Sequence, residues 1–449
     1  MKPSMTPMSA CPAGPLNGLP AIPGDKSVSH RALLLAASAI GESRIHGLLE
    51  GDDVLATAAA VRALGCRAER DADGSWRVTG RGPGGLAEPD RVLDLGNSGT
   101  GARLLMGLVA SQPIYTVITG DASLSSRPMR RVIEPLQRIG AAIWARSGDR
   151  LPLAMRGAEA PLPIDYTLPV ASAQVKSAIL LAGLNAPGRT VVIEPLPTRD
   201  HSERLLAHFG AEITVEPLPD GGRRIELTGQ PELTARTVVV PADISSAAFP
   251  LVAALVIPGS QVTLEGIGVN PLRTGLLTTL REMGAAIEQR RPRDDGGEPI
   301  CDLVVRAGPL QGVEVPASRV PSMIDEFPIL AVAAACARGV TRMHGLAELR
   351  VKESDRLAAV AAGLAACGVG VDTGPDWLEV RGCDGPPPGG GVVTTHFDHR
   401  IAMAFLVLGL AAQAPVRIDD GTAIATSFPG FSGLMTALGA EIRVLATNN

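Results

Sequence analysis

Aromatic residues are scarce in this chain. Phe, Trp and Tyr make up 3% of its 449 residues, so its core must be Ala, Leu, Val and Ile. The six cysteines, at 11, 66, 301, 336, 367 and 383, form no CxxC pair and have no His at metal-ligand spacing. That pattern argues against structural zinc and fits a reduced setting. No cationic excess exists: the net charge of −5 gives no footprint for nucleic acid. Any anion site must therefore be a local gathering of Arg and Lys. The longest apolar run, residues 401 to 412, is too short for a bilayer and reads as a buried helix. Residues 1 to 20 lack the basic start and apolar stretch of a signal peptide, so a cytoplasmic protein without membrane attachment is expected.

What is present is a repeat. A helical segment ends in Gly before a strand-like segment at Gly65, Gly140, Gly210, Gly284, Gly368 and Gly439. Gly suits a helix C-cap because positive φ is cheap without a side chain. The spacing exceeds that of solenoid repeats, so each unit should be a small α/β module. Each unit also holds a nearly all-apolar helix, beginning near Val28, Gly101, Val175, Ala247, Pro328 and Ile401. Helices apolar on every side must be enclosed by other elements. The length favours two domains. Three units around each of two cores predict one domain over 23–241 and another over 1–22 with 242–449. Hinges would fall near 22–24 and 240–242. The N-terminal strand would then pair with the C-terminal half.

The starts of the six apolar helices carry the chemistry. They hold Lys26, Ser27 and Arg31; Asn97, Ser98 and Thr100; Ser172, Gln174 and Lys176; Asp243, Ser245 and Ser246; Asp325 and Glu326; Asp398, His399 and Arg400. Ser, Asn and Asp alone would satisfy ordinary capping, but Lys, Arg, Gln and His are not required by it. Each helix start contributes roughly +0.5 charge, so six facing one cleft would sum to about +3 before side chains are counted. That predicts anionic ligands. Further cations lie in Arg127-Pro128, in Arg199-Asp200-His201-Ser202-Glu203, and in Lys352-Glu353-Ser354-Asp355-Arg356, where Lys352 and Arg356 would share one helical face. Converging guanidinium forks bind phosphate and carboxylate. Gly24-Asp25-Lys26-Ser27 is not a P-loop, because Asp25 separates Gly24 from Lys26.

These segments, with Gly96-Asn97-Ser98-Gly99-Thr100, Ser172-Ala173-Gln174 and Asp398-His399-Arg400, occur together and in order. In them the chain resembles the EPSP synthase (3-phosphoshikimate 1-carboxyvinyltransferase) family over residues 20–445, and most closely its class II branch. The resemblance implies an α/β fold of two domains, each of three repeated units packed around buried helices, an inside-out α/β barrel. It implies transfer of the carboxyvinyl group of phosphoenolpyruvate (PEP) to the 5-hydroxyl of shikimate 3-phosphate, with release of phosphate. No metal or redox cofactor is implied, and a monomer is expected.

By the same resemblance, Lys26, Ser27, Arg31, Ser172, Ala173, Gln174, Arg199, Asp325 and Lys352 hold shikimate 3-phosphate. Lys26, Asn97, Gly99, Arg127, Gln174, Arg356 and Arg400 hold PEP. Asp325 takes the hydroxyl proton with Lys352 beside it, and Glu353 gives a proton to the PEP methylene with His399 near. The division of proton transfers among Glu353, Lys352 and His399 stays open. Such chemistry needs a base and an acid in different environments, and burial or crowding is expected to help Glu353 hold its proton. Thr426 stands where class I members place a Lys, and Gly99 where glyphosate-tolerant members have Ala. The UDP-N-acetylglucosamine carboxyvinyltransferases are the rival within the fold. Their PEP loop normally carries a Cys, whereas residues 121–127 have none, and Ser27 follows Lys26 where they have Asn. A non-catalytic module binding shikimate 3-phosphate is a further alternative, which the intact acid–base set argues against.

Overall fold

The computed structural model describes residues 5–446. The chain ends, 1–4 and 447–449, which the expected second domain includes, lie outside the described residues. The chain divides into two compact units. The first comprises Gly24–Pro241 with Asp294–Glu298, and the second residues 5–23, Ala242–Arg293 and 299–446.

Six central helices run through the repeats: α1 (Lys26–Ser38), α2 (Gly99–Ala110), α3 (Ala173–Gly183), α4 (Ile244–Val256), α5 (Phe327–Cys336) and α6 (His399–Ala411). The first three belong to the first unit and pack against one another; the last three do the same in the second. They are enclosed as their composition requires. In α5 every residue from Phe327 to Ala335 is buried, and α6 is buried along its whole length. With so few aromatics, close approach is set by small residues. A Cβ on Gly107 of α2 would lie 2.4 Å from the carbonyl oxygen of Ala178 in α3. Only Gly allows these two backbones to meet at that distance.

Around the helices lie six four-stranded sheets, each built alike. A strand is followed by a central helix, a parallel partner strand, a second helix ending in Gly, and an antiparallel pair that returns to the sheet. In the second repeat these are Leu93–Asp94, α2, Tyr115–Thr119, the helix Arg130–Ile139, Ala142–Arg146 and Arg150–Arg156. Tyr115 pairs with Arg156 and Ile118 with Leu153. The six repeat glycines all have positive φ, from 76° at Gly368 to 114° at Gly140, as the capping argument requires.

Three sheets are completed from distant parts of the chain. Asn17–Gly18 pairs in parallel with the start of Gln261–Gly268 in the fourth repeat, Asn17 opposite Gln261. Thr237–Val239 returns to pair with Ile40–His46 of the first repeat, Val238 opposite Ile45. Met8–Cys11 lies between Val416–Ile418 and Glu441–Val444 in the last repeat, so the N-terminal strand does pair with the C-terminal half. Each return leaves no inner strand edge unpaired, which edge hydrogen bonding favours. Among the described residues, no helix is long and apolar enough to cross a membrane.

Candidate functional site

In the first unit, the expected residues are held by networks rooted in the helix starts. Asp25 caps α1, its carboxylate accepting from the Val28 N–H at 2.9 Å. Lys26 then points to Asp53, with Nζ 3.1 Å from Oδ2. Ser98 caps α2 and Ser172 caps α3, accepting from Gly101 N–H and Val175 N–H. Asn97 donates to Asp121 at 2.8 Å and accepts from Arg127 Nη2 at 2.9 Å. Arg127 is extended, as a residue before Pro should be. The segment before it is not all loop, because Ala122–Ser126 forms a short helix capped by Asp121.

His30 joins α1 to α2. It is fully buried, with Nδ1 2.8 Å from Thr57 Oγ1 and Nε2 3.4 Å from Ser98 Oγ. Thr57 Oγ1 donates to Asp53 O, so it accepts from the ring at Nδ1–H, and Nε2 is left to accept from Ser98 Oγ. This chain needs neutral imidazole. Burial, helped by the charges of Lys26 and Arg31, pushes the ring down to about 3.

Arg103 was not among the expected residues. Its Nη1 donates to Gln174 Oε1 at 2.9 Å and to Gly99 O at 3.2 Å, and its Nη2 reaches Pro128 O at 3.5 Å. Gln174 in turn donates to Thr100 at 2.9 Å. Arg103 therefore ties together the starts of α2 and α3 and the loop of Arg127. The available signal was a lone cation within an apolar helix, four residues after Gly99 and so on its face. A Cβ on Gly99 would lie 2.9 Å from the guanidinium nitrogens of both Arg103 and Arg127.

Arg31 is turned inward. Its three nitrogens donate to Ser202 Oγ, Ser27 O and Ser177 Oγ at 2.7, 2.9 and 2.7 Å. Burial lowers it to about 10 against the pull of Glu203 and Asp25, so it keeps its charge at neutral pH. Arg199 is half-buried in the loop before the helix His201–His208, while Ser172, Ala173 and Gln174 form the half-buried start of α3.

The second unit holds the expected acid–base set. Asp325 lies 3.5 Å from Lys352 Nζ and 3.2 Å from Arg356 Nη1. Lys352 and Arg356 do not share a helical face as their spacing suggests. A 3₁₀ segment, Leu346–Val351, ends at Lys352, and the helix Arg356–Ala366 begins afresh. The break is capped by Asp355, whose carboxylate accepts from Ala358 N–H. Both cations reach Asp325 from opposite sides of the break. Arg356 is buried and also contacts Asp398 at 2.8 Å and Glu353 at 2.5 Å. Burial alone would lower its pKa, but Asp398, Glu353 and Asp325 outweigh burial and hold it above its ordinary value. The neighbour of Glu353 is thus a cation. Arg400 Nη1 donates to Asp325 O at 3.1 Å and lies 3.8 Å from Glu326. His399 is buried beside it in the first turn of α6. A cavity of about 430 Å³ opens at Glu353, Ser354, Asp355 and His396.

The six helix starts do not all present bare positive charge. None of the six central helices has an acid in its first turn, which leaves the dipole uncompensated there. However, Asp243, Glu326 and Asp398 stand at the N-cap of every central helix in the second unit. Asp243 and Asp398 accept from the first turns of their own helices, Glu326 accepts from the Ser245 hydroxyl at the start of α4, and the three are met by Arg273, Arg356 and Arg400. Only the Ser-capped starts of α2 and α3 offer bare positive ends.

Six like-built sheets around two trios of enclosed helices define the class as an enolpyruvyl transferase fold. The structure is similar to the enolpyruvyl transferase NikO from Streptomyces tendae, with a TM-score of 0.79 at 19% identity, covering 99% of this chain and 100% of that one. At that identity the likeness shows the fold alone. The chain belongs to the EPSP synthase family: the family model for EPSP synthase (3-phosphoshikimate 1-carboxyvinyltransferase) matches residues 11–435. A 3-phosphoshikimate 1-carboxyvinyltransferase from Granulibacter bethesdensis is 66% identical over 94% of this chain and 93% of its own length. One from Paramagnetospirillum magneticum is 64% identical over 97% and 98%. An EPSP synthase structure from Acinetobacter baumannii has a TM-score of 0.87 at 43% identity, covering 98% of this chain and 100% of that one.

Proposed function

We infer that this chain is a transferase that moves the carboxyvinyl group of PEP to the 5-hydroxyl of shikimate 3-phosphate and releases phosphate, a step of aromatic amino acid biosynthesis. The observation that carries the reading is Asp325 beside Lys352 and Arg356 within the family's motif set. A carboxylate held between two cations stays ionised and can accept the hydroxyl proton. The hydroxyl oxygen then bonds to C2 of PEP while C3 receives a proton, giving a tetrahedral ketal phosphate. Loss of a methyl proton and of phosphate regenerates the double bond. Glu353 is assigned the proton at C3, with Lys352 and His399 as its partners in transfer.

Lys26, Ser27, Arg31, Ser172, Ala173, Gln174 and Arg199 are assigned to shikimate 3-phosphate, together with Asp325 and Lys352. Lys26, Asn97, Gly99, Arg127, Gln174, Arg356 and Arg400 are assigned to PEP. The bare helix starts at Ser98 and Ser172 suit these anions. The assignment requires both units, proposed as the two domains of the protein, to serve one pair of substrates. Scattering with and without both ligands tests whether binding draws them together. A monomer in the cytoplasm is proposed with this reading, in keeping with six free cysteines; light scattering on the purified protein checks the first point.

The test of function is phosphate release from PEP in the presence of shikimate 3-phosphate. Asp325→Ala is expected to abolish turnover while shikimate 3-phosphate still binds by calorimetry. Near-normal turnover in that variant removes Asp325 as the base. Release equal to a no-enzyme blank in the wild type favours a binding module.

A further inference from the structure

Lys176 lies in the second turn of α3 and is wholly enclosed. Its Nζ is 2.9 Å from Glu194 Oε1 and 2.6 Å from Glu203 Oε1, and both carboxylates are themselves buried. The same ammonium donates to Thr198 O at 3.4 Å, and the Thr198 hydroxyl donates to Glu194. The residue just before Arg199 is therefore held at its carbonyl by a cation and at its hydroxyl by an anion. On the other side, Ser202, next to Glu203, accepts from Arg31 Nε. Ser177, next to Lys176, accepts from Arg31 Nη2, and the two serine oxygens are 2.6 Å apart. Of the charges around Arg31, Glu203 supports its ionised form most strongly.

Lys176 and Arg31 against Glu194 and Glu203 make two charges of each sign, enclosed together. Burial pushes the Glu194 carboxyl up even with Lys176 beside it, so apolar packing would hold these elements with less desolvation. What apolar packing lacks is direction. The three charges join α3, the strand Arg189–Glu194 and the helix His201–His208 at the loop that carries Arg199. We propose that Lys176, Glu194 and Glu203 are positioning residues that set the placement of Arg31 and Arg199, and through them the affinity for shikimate 3-phosphate. The proposal rests on the assignment of those two arginines to that substrate.

Lys176→Met matches the unbranched lysine stem as far as Cε and removes the ammonium, but leaves two acids buried without their cation. The triple variant Lys176→Met/Glu194→Gln/Glu203→Gln removes three of the four buried charges and leaves Arg31 with Asp25 as its supporting acid. Glu203→Gln alone keeps the shape of the cluster. Phosphate release is measured with each substrate varied in turn, alongside the thermal midpoint. Lys176→Met should lower the midpoint and the triple variant should recover part of it. All three should raise KM for shikimate 3-phosphate, by about tenfold in the triple variant, the loss of one charge-assisted contact. Neither kcat nor KM for PEP should follow. A folded triple variant or Glu203→Gln with wild-type KM for shikimate 3-phosphate overturns the proposal. An equal rise in both KM values also overturns it, because general loosening explains that result. Arg199→Ala run in parallel tests the reading beneath: unchanged KM for shikimate 3-phosphate there defeats the assignment of Arg199, not the positioning role.

Discussion

Acid should destabilise the first unit through His30 more than through any surface histidine. The folded ring titrates at about 3 because it is buried and faces Lys26 and Arg31, whereas in the unfolded chain it returns to 6.5. The folded value lies below the unfolded one, so between them the unfolded chain binds the extra proton. The contribution is therefore complete above the unfolded pKa and is lost as pH falls toward the folded one. At 1.36 kcal/mol per unit, moving from about pH 7 to about pH 4.5 should remove about 2.5 kcal/mol. His30→Gln retains an amide near Nε2 and removes the titration. It should be less stable than wild type near neutrality, by about 1 kcal/mol for the hydrogen bond to Thr57. The acid-induced loss should nonetheless be smaller in the variant by the full amount. Urea unfolding reports this through Trp76 and Trp144 of the first unit, in a Trp377→Phe background that silences the second. Equal acid-induced losses in wild type and variant would refute the account. So would a ring proton found on Nε2 by nitrogen NMR, since Ser98 then could not donate to it.

Three other outcomes follow from the same contacts. Gly107→Ala places a Cβ 2.4 Å from Ala178 O and should cost about 1–3 kcal/mol as α2 and α3 are forced apart; an unchanged thermal midpoint contradicts that packing. Arg103→Met should raise KM for PEP by about tenfold and KM for shikimate 3-phosphate by less, because it releases Gln174, assigned to both substrates, together with Gly99, assigned to PEP alone. Glyphosate is expected to inhibit the wild type competitively with PEP. Gly99→Ala should weaken that inhibition, because the new methyl meets the guanidinium nitrogens of Arg103 and Arg127; equal inhibition of both proteins defeats the idea.

The chain by itself determined its repeat, its six enclosed helices and its family. Those features are local: a Gly that must take positive φ, an apolar stretch with no polar face, a motif of adjacent residues. The contact of Asp325 with Lys352 was also readable, because the resemblance sets the two side by side. Tertiary structure decided what depends on side-chain direction and on distant pairing. Thr237–Val239 joins the first sheet because that sheet's edge lies open to it, which no periodicity reveals. Lys176 reads as one more cation at a helix start, yet it points away from the bare N-terminus into two buried carboxylates. Arg103 hides in an apolar stretch until α3 brings Gln174 beside it. The carboxylate caps of the second unit look like ordinary helix starts until Arg273, Arg356 and Arg400 arrive to balance them. Charge in a folded chain acts over a few ångströms of low-dielectric space, and which residues share that space is set by packing, not by order along the chain.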